Sequence, residues 1–110
     1  MSGEASSPFL LGSKVTQLNN AASGIQLDGP TTGGLIQFFI ENTNASNVAV
    51  AYATTAAAAQ TNAAVPAAGA SSAANVIVLG ANQSKVVTAP PGQYWSSSAA
   101  LVFITPGNGI

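Results

Sequence analysis

The chain has 110 residues with one Trp, no Cys and no His, and its charged side chains are five: Glu4, Lys14, Asp28, Glu41 and Lys85. Two lysines without an arginine exclude an electrostatic grip on nucleic acid. The missing Cys and His exclude a disulfide scaffold, a thiol nucleophile, a thiolate metal site and the commonest general base. The length fits one domain, and 26 of the 110 residues are Leu, Ile, Val or Phe, enough for a core. A folded chain of this mass exposes roughly 5,500 Å², and surfaces of soluble domains are normally about a quarter charged. This one is far more neutral. Either Ser, Thr, Asn and Gln carry its solubility or partners cover much of it, and the near-zero net charge favours assembly, including self-association.

Residues 1–12 read as an N-terminal arm: a small polar start, then Pro8-Phe9-Leu10-Leu11. That apolar patch can be an edge strand on its own domain or an arm entering a neighbour. It is too short for a signal-peptide core and no positive charge precedes it, so no secretion is expected. The apolar runs are also far short of the ~20 residues of a spanning helix, so no membrane partner is expected.

From residue 13 the chain reads as one β domain. Lys14–Leu18 and Ile25–Leu27 are short strands separated by Asn19–Gly24. Asp28-Gly29-Pro30 is a turn signal, with Thr31 to Gly33 extending the loop. Gly34 to Ala53 reads as strand, polar turn, strand, a hairpin able to seed an antiparallel sheet. Ile36, Phe38 and Ile40 share one face of its first arm. Val48, Val50 and Tyr52 share one face of the second, with Ala49, Ala51 and Ala53 on the other. Residues 54–75 are an Ala-rich insertion or loop. Thr54 or Thr55 could cap a short helix through Ala56 to Ala64, but so short a helix is marginal without packing, and an irregular loop is the favoured reading. Asn75–Leu79 predicts a strand buried on both sides. Lys85–Thr88, Gln93–Ser96 and Ala99–Thr105 follow, the last apolar on both faces.

About eight short strands with turn signals every 8–12 residues predict an all-β fold in one domain, an antiparallel sandwich or a barrel. Two doubly apolar strands suggest a further face buried against a subunit or partner.

The ending Phe103-Ile104-Thr105-Pro106-Gly107-Asn108-Gly109-Ile110 resembles the aromatic-Ile-Thr-Pro-Gly-Glu-Gly-aliphatic ending of small tailed-phage virion proteins of the capsid decoration, or cement, type. Upstream pieces agree in order. Leu35–Asn42 resembles their hydrophobic strand ending in Asn, and Val48–Tyr52 their alternating strand ending in an aromatic. Lys85-Val86-Val87 with Pro91-Gly92 resembles their apolar strand and following turn. Asn108 stands where that family usually has an acid, and Thr54 where a Gly commonly follows the aromatic. The resemblance rests mainly on residues 34–53 and 85–110. It implies a single antiparallel β-sandwich of jelly-roll type that binds the outside of a phage capsid in many copies, at seams between major capsid protein subunits.

Partner contacts are expected at Phe9, Leu10 and Leu11, and at Tyr94 and Trp95. Those last two neighbours face opposite sides of a strand and cannot form one platform, and one of them belongs in the core. The alternative function is a carbohydrate- or surface-binding module of a fibre or adhesin, which needs Trp95 or Tyr94 exposed beside polar groups. Asp28 and Glu41 read as isolated strand-end charges rather than an acid–base pair. No enzyme activity, catalytic residue, cofactor, metal site or small-molecule substrate is expected. Asn44-Ala45-Ser46 and Asn82-Gln83-Ser84 match the glycosylation sequon by chance, given no secretion signal. Localisation follows as the outer surface of a virion, after synthesis in the host cytoplasm.

Overall fold

The computed structural model describes residues 9–12, 14–20 and 23–109. Ten strands run in chain order as β1 (Phe9–Leu11), β2 (Thr16–Leu18), β3 (Ile25–Gln26), β4 (Thr31–Thr32), β5 (Leu35–Asn42), β6 (Val48–Ala53), β7 (Val76–Leu79), β8 (Ser84–Ala89), β9 (Tyr94–Ser97) and β10 (Val102–Gly109). One helix, α1 (Ala56–Asn62), lies between β6 and β7.

Eight of these strands pair as a single nested hairpin folded over on itself. β2 pairs with β10, β3 with β9, β5 with β8 and β6 with β7, all antiparallel. Two further pairings, β10 with β5 and β9 with β6, close sheet A in the order β2-β10-β5-β8 and sheet B in the order β3-β9-β6-β7. Counted in chain order, the first strand lies beside the eighth and the second beside the seventh, in opposing sheets. That is a jelly roll. The short β1 adds to the end of β10, with Leu11 opposite Gly107, and β4 forms a hairpin with β5.

The core lies between the sheets and follows the alternation of the strands. β5 buries Ile36, Phe38 and Ile40 while Leu35 and Glu41 stay exposed. Val102 and Ile104 of β10 and Leu18 of β2 complete that layer; Val48, Val50, Leu79 and Trp95 face it from sheet B. Each such side chain contributes roughly 1.5–3 kcal/mol when fully buried.

Two expectations about strands are corrected. Residues 34–53 do not form a hairpin: β5 belongs to sheet A and β6 to sheet B, so the polar stretch between them arches across the core. Their apolar faces therefore oppose one another instead of lying side by side. The arch is held by Asn42, which is 2 % exposed. Its Nδ2 donates to the Ser46 and Gly80 carbonyls (3.0 and 2.8 Å), and its Oδ1 accepts from the Asn44 N–H and Nδ2 (2.9 and 3.0 Å). Nor is Asn75–Leu79 buried on both sides. β7 is the edge of sheet B and pairs with β6 alone, so Ile77 and Leu79 point inward while Val78 is 41 % exposed.

Smaller differences have local causes. Thr31 to Gly33 is not only loop: Gly33 and Gly34, at φ 64° and 81°, supply the positive φ that a two-residue hairpin turn of type I′ needs at both central positions. The final strand starts at Val102, because Ala99 to Leu101 bend, and it runs on to Gly109.

The Ala-rich segment is helix first and irregular chain after. Thr55, in extended conformation, caps α1 by accepting from the Ala58 N–H (3.2 Å). The helix packs on β6 and β9, over the outer face of sheet B. Ala49, Ala51, Ala59 and Ala63 are all buried there. Small residues allow that approach, and Gly24 extends it: its N–H donates to the Ala56 carbonyl (3.0 Å). Gln60 Nε2 also reaches the Asn20 carbonyl (2.7 Å), so the helix is tied to the segment before β3.

Candidate functional surfaces

Trp95 occupies the centre of the core rather than the surface. It is 2 % exposed, and its ring centroid lies 4.6 Å from that of Phe38 and 5.0 Å from that of Tyr52. Its expected role as a partner contact is corrected by this burial: β9 turns Trp95 inward and Tyr94 outward, opposite Ala53 and Gln26. Tyr94 is half-buried. The expected split of the two neighbours across the strand is what the fold contains.

Near Trp95 a cavity of about 170 Å³ opens between the sheets, walled by Val50, Tyr52, Ile77 and Val87. No charged residue lines it. Small-molecule sites are mostly apolar with a few placed polar groups, and the polar residues lining this cavity are Tyr52, Asn75 and Thr88.

The expected N-terminal contacts are placed at the edge of sheet A. Leu11 is 69 % exposed where β1 meets the end of β10. Residues 1–8 of the expected arm, and the side chains of Phe9 and Leu10, lie outside the described residues. Asp28 and Glu41 have separate settings. Asp28 Oδ1 accepts from the Gly92 N–H (2.7 Å) and so clasps the turn before β9. Glu41 is exposed at the end of β5, between Phe103 and Ser84 on the flanking strands.

Two surfaces emerge beyond the expected contact residues. The outer face of sheet A carries no helix among the described residues. There Phe39 of β5 stands between Thr105 of β10 and Val86 of β8, and Phe103 stands between Gln17 and Glu41. Both Phe residues are half-buried and Val86 is 42 % exposed. The available signal was the apolar residue on the second parity of each strand: Phe39 between Phe38 and Ile40, and Phe103 between Val102 and Ile104.

The second surface is the end of the sandwich where the β5–β6 arch meets the bend before β10. Leu101 lies there, half exposed, with φ 62°. Its N–H donates to Gln17 Oε1 (3.1 Å), and its carbonyl accepts from Thr43 Oγ1 (2.7 Å) and the Thr43 N–H (3.2 Å). The preceding carbonyl, of Ala100, accepts from Asn44 Nδ2 (2.8 Å). No sequence signal marks a Leu for left-handed backbone.

These side chains lie on the surface of an all-β sandwich domain. Comparison with protein-family models, with curated proteins and with solved structures finds no match to this chain. No helix among the described residues is long and apolar enough to cross a membrane.

Proposed function

We propose that this protein is a structural component of a tailed-phage virion that decorates and braces the capsid, binding at seams between major capsid protein subunits. The observation that carries the reading is the outer face of sheet A. It presents Phe103 and Val86, with Glu41 as its charged residue among the described residues, on a chain that has five charged residues in all. Large permanent interfaces resemble a domain core cut in half, apolar and depleted of charge. The resemblance of residues 34–53 and 85–110 to capsid decoration proteins supports the same reading. The sugar-binding alternative loses its main support with Trp95 buried.

Co-sedimentation of the purified protein with empty phage heads assembled without it tests the proposal. Saturable binding that raises the heads' resistance to heat is expected. If the protein stays in the supernatant at every concentration, the decoration role is wrong. Deleting residues 1–11 adds a second arm to the test. Among the described residues β1 pairs with the last residues of β10 alone, so the fold should survive its loss. Attachment should weaken, since each apolar side chain buried in a neighbour contributes roughly 1.5–3 kcal/mol. Equal binding by the truncated chain would remove the arm from the interface.

A further inference from the structure

Among the described residues, two buried side-chain polar atoms have no hydrogen-bond partner in the protein: Trp95 Nε1 and Ser96 Oγ. They are not equivalent. A hydroxyl rotates and can both donate and accept, whereas the indole N–H is fixed in its ring plane and only donates. Trp95 is also almost wholly withdrawn from solvent. Leaving such a donor unpaired costs free energy, and native structures rarely do it. The same Trp95 forms part of the wall of the cavity between the sheets, with Ile77 of β7 and Val87 of β8. β7 is an edge of sheet B and pairs with β6; β8 is an edge of sheet A and pairs with β5. A molecule entering between these two edges breaks no backbone hydrogen bond. The cavity measures about 170 Å³, and engineered apolar cavities of about 150 Å³ take up benzene. No charged residue lines it, so an ionised molecule would lose its hydration there without a counter-charge.

We propose that this cavity binds a small uncharged molecule, an apolar ring or short chain carrying one carbonyl or ether oxygen, and that this oxygen accepts from Trp95 Nε1. The apolar part fills the space among Val50, Ile77 and Val87, where burial of hydrocarbon drives binding. The oxygen supplies the acceptor that the core does not, and so fixes the orientation of the ligand. A mostly apolar pocket with one or two placed polar groups is the usual make-up of a small-molecule site. The inference does not depend on the decoration reading, since the cavity lies between the sheets and not on the outer face of sheet A.

The test is a magnetic-resonance titration of the full, isotopically labelled chain with two probes of the same ring size, cyclohexanone and cyclohexane. Trp95 is the single Trp, so the indole N–H resonance reports on this site alone. Cyclohexanone should move that proton downfield and saturate. A plain apolar hole prefers the hydrocarbon, because the ketone gives up its hydrogen bonds with water on entry. The indole donor should cancel that preference, so that cyclohexanone fills the site at least as fully as cyclohexane at equal dissolved concentration. Val87→Phe, which occupies the space, should weaken binding at least about tenfold while the protein stays folded; Ile77→Phe makes the same test from the facing strand. An indole resonance that cyclohexanone never moves would mean that water alone serves the donor, and the inference would fall. A clear preference for cyclohexane, or a folded filled variant that binds as well as the parent, would overturn it too. Phage heads play no part in the measurement, so either result leaves the decoration reading to its own test.

Discussion

Replacing Asn42 by Ala should damage the fold far more than an asparagine in a connection ordinarily would. Its side-chain amide makes four hydrogen bonds, two donated and two accepted, joining its own arch to the turn between β7 and β8. At about 1 kcal/mol net each, their loss is worth about 4 kcal/mol. Water reaching the more open partners would restore part of this, leaving about 3 kcal/mol. For 110 residues, with an unfolding entropy of about 2.1 cal/mol/K per residue, that lowers the melting temperature by about 13 °C. Thermal denaturation followed by circular dichroism reads it directly. Asn42→Asp adds a test of sign. The carboxylate would face the Ser46 and Gly80 carbonyls without a hydrogen to offer, so its pKa rises on folding. The resulting penalty is absent well below the unfolded carboxyl pKa of about 3.9 and grows as the pH rises past it. The gap between Asn42→Asp and the parent should therefore be wider at pH 7 than at pH 3. An Asn42→Ala protein melting within about 3 °C of the parent would refute the idea that this amide holds the two sheets in register.

Substitutions at two further positions probe the helix on sheet B. A Cβ on Gly24 would lie 2.9 Å from the Ala59 Cβ and 3.1 Å from the Ala56 carbonyl oxygen, so Gly24→Ala should lift α1 and cost about 1–3 kcal/mol; an unchanged urea midpoint would contradict that packing. Thr55→Ala removes the cap of α1 and should cost about 1 kcal/mol, while Thr55→Ser recovers most of it, as chemical denaturation of the three proteins would show.

The strands were legible because period-2 alternation is local: Ile36, Phe38 and Ile40 declare a buried face from eight residues of sequence. Which strand lies beside which was less so. A stretch such as Asn42–Asn47 can close a hairpin or bridge two sheets, and the choice depends on what each flanking strand finds elsewhere. β5 finds β10, with Asn42 opposite Val102, and β6 finds β9, with Tyr52 opposite Trp95. Those partners are more than 40 residues away. The inward turn of Trp95 was one of two open options at Tyr94-Trp95, since parity splits the pair without saying which member goes inside. The apolar outer face of sheet A was half legible, through Phe39 and Phe103 at the second parity of their strands. Leu101 was not, because its φ comes from hydrogen bonds to Gln17 and Thr43, 84 and 58 residues away.

The position of β10 also decides when the domain can exist. It is the strand furthest along the chain, yet it lies inside sheet A, between β5 and the β1–β2 edge. Phe9 waits for Gly109, Leu18 for Val102 and Ile40 for Ile104. During synthesis at about 5–20 residues per second, a ribosome-bound chain would spend several seconds with the flanks of that sheet made and its middle missing. Folding dominated by such distant pairings takes milliseconds to seconds once it can begin. Until β10 is made, sheet A has only the pairings of β5 with β4 and β8, and β1 and β2 have yet to meet the strand they pair with.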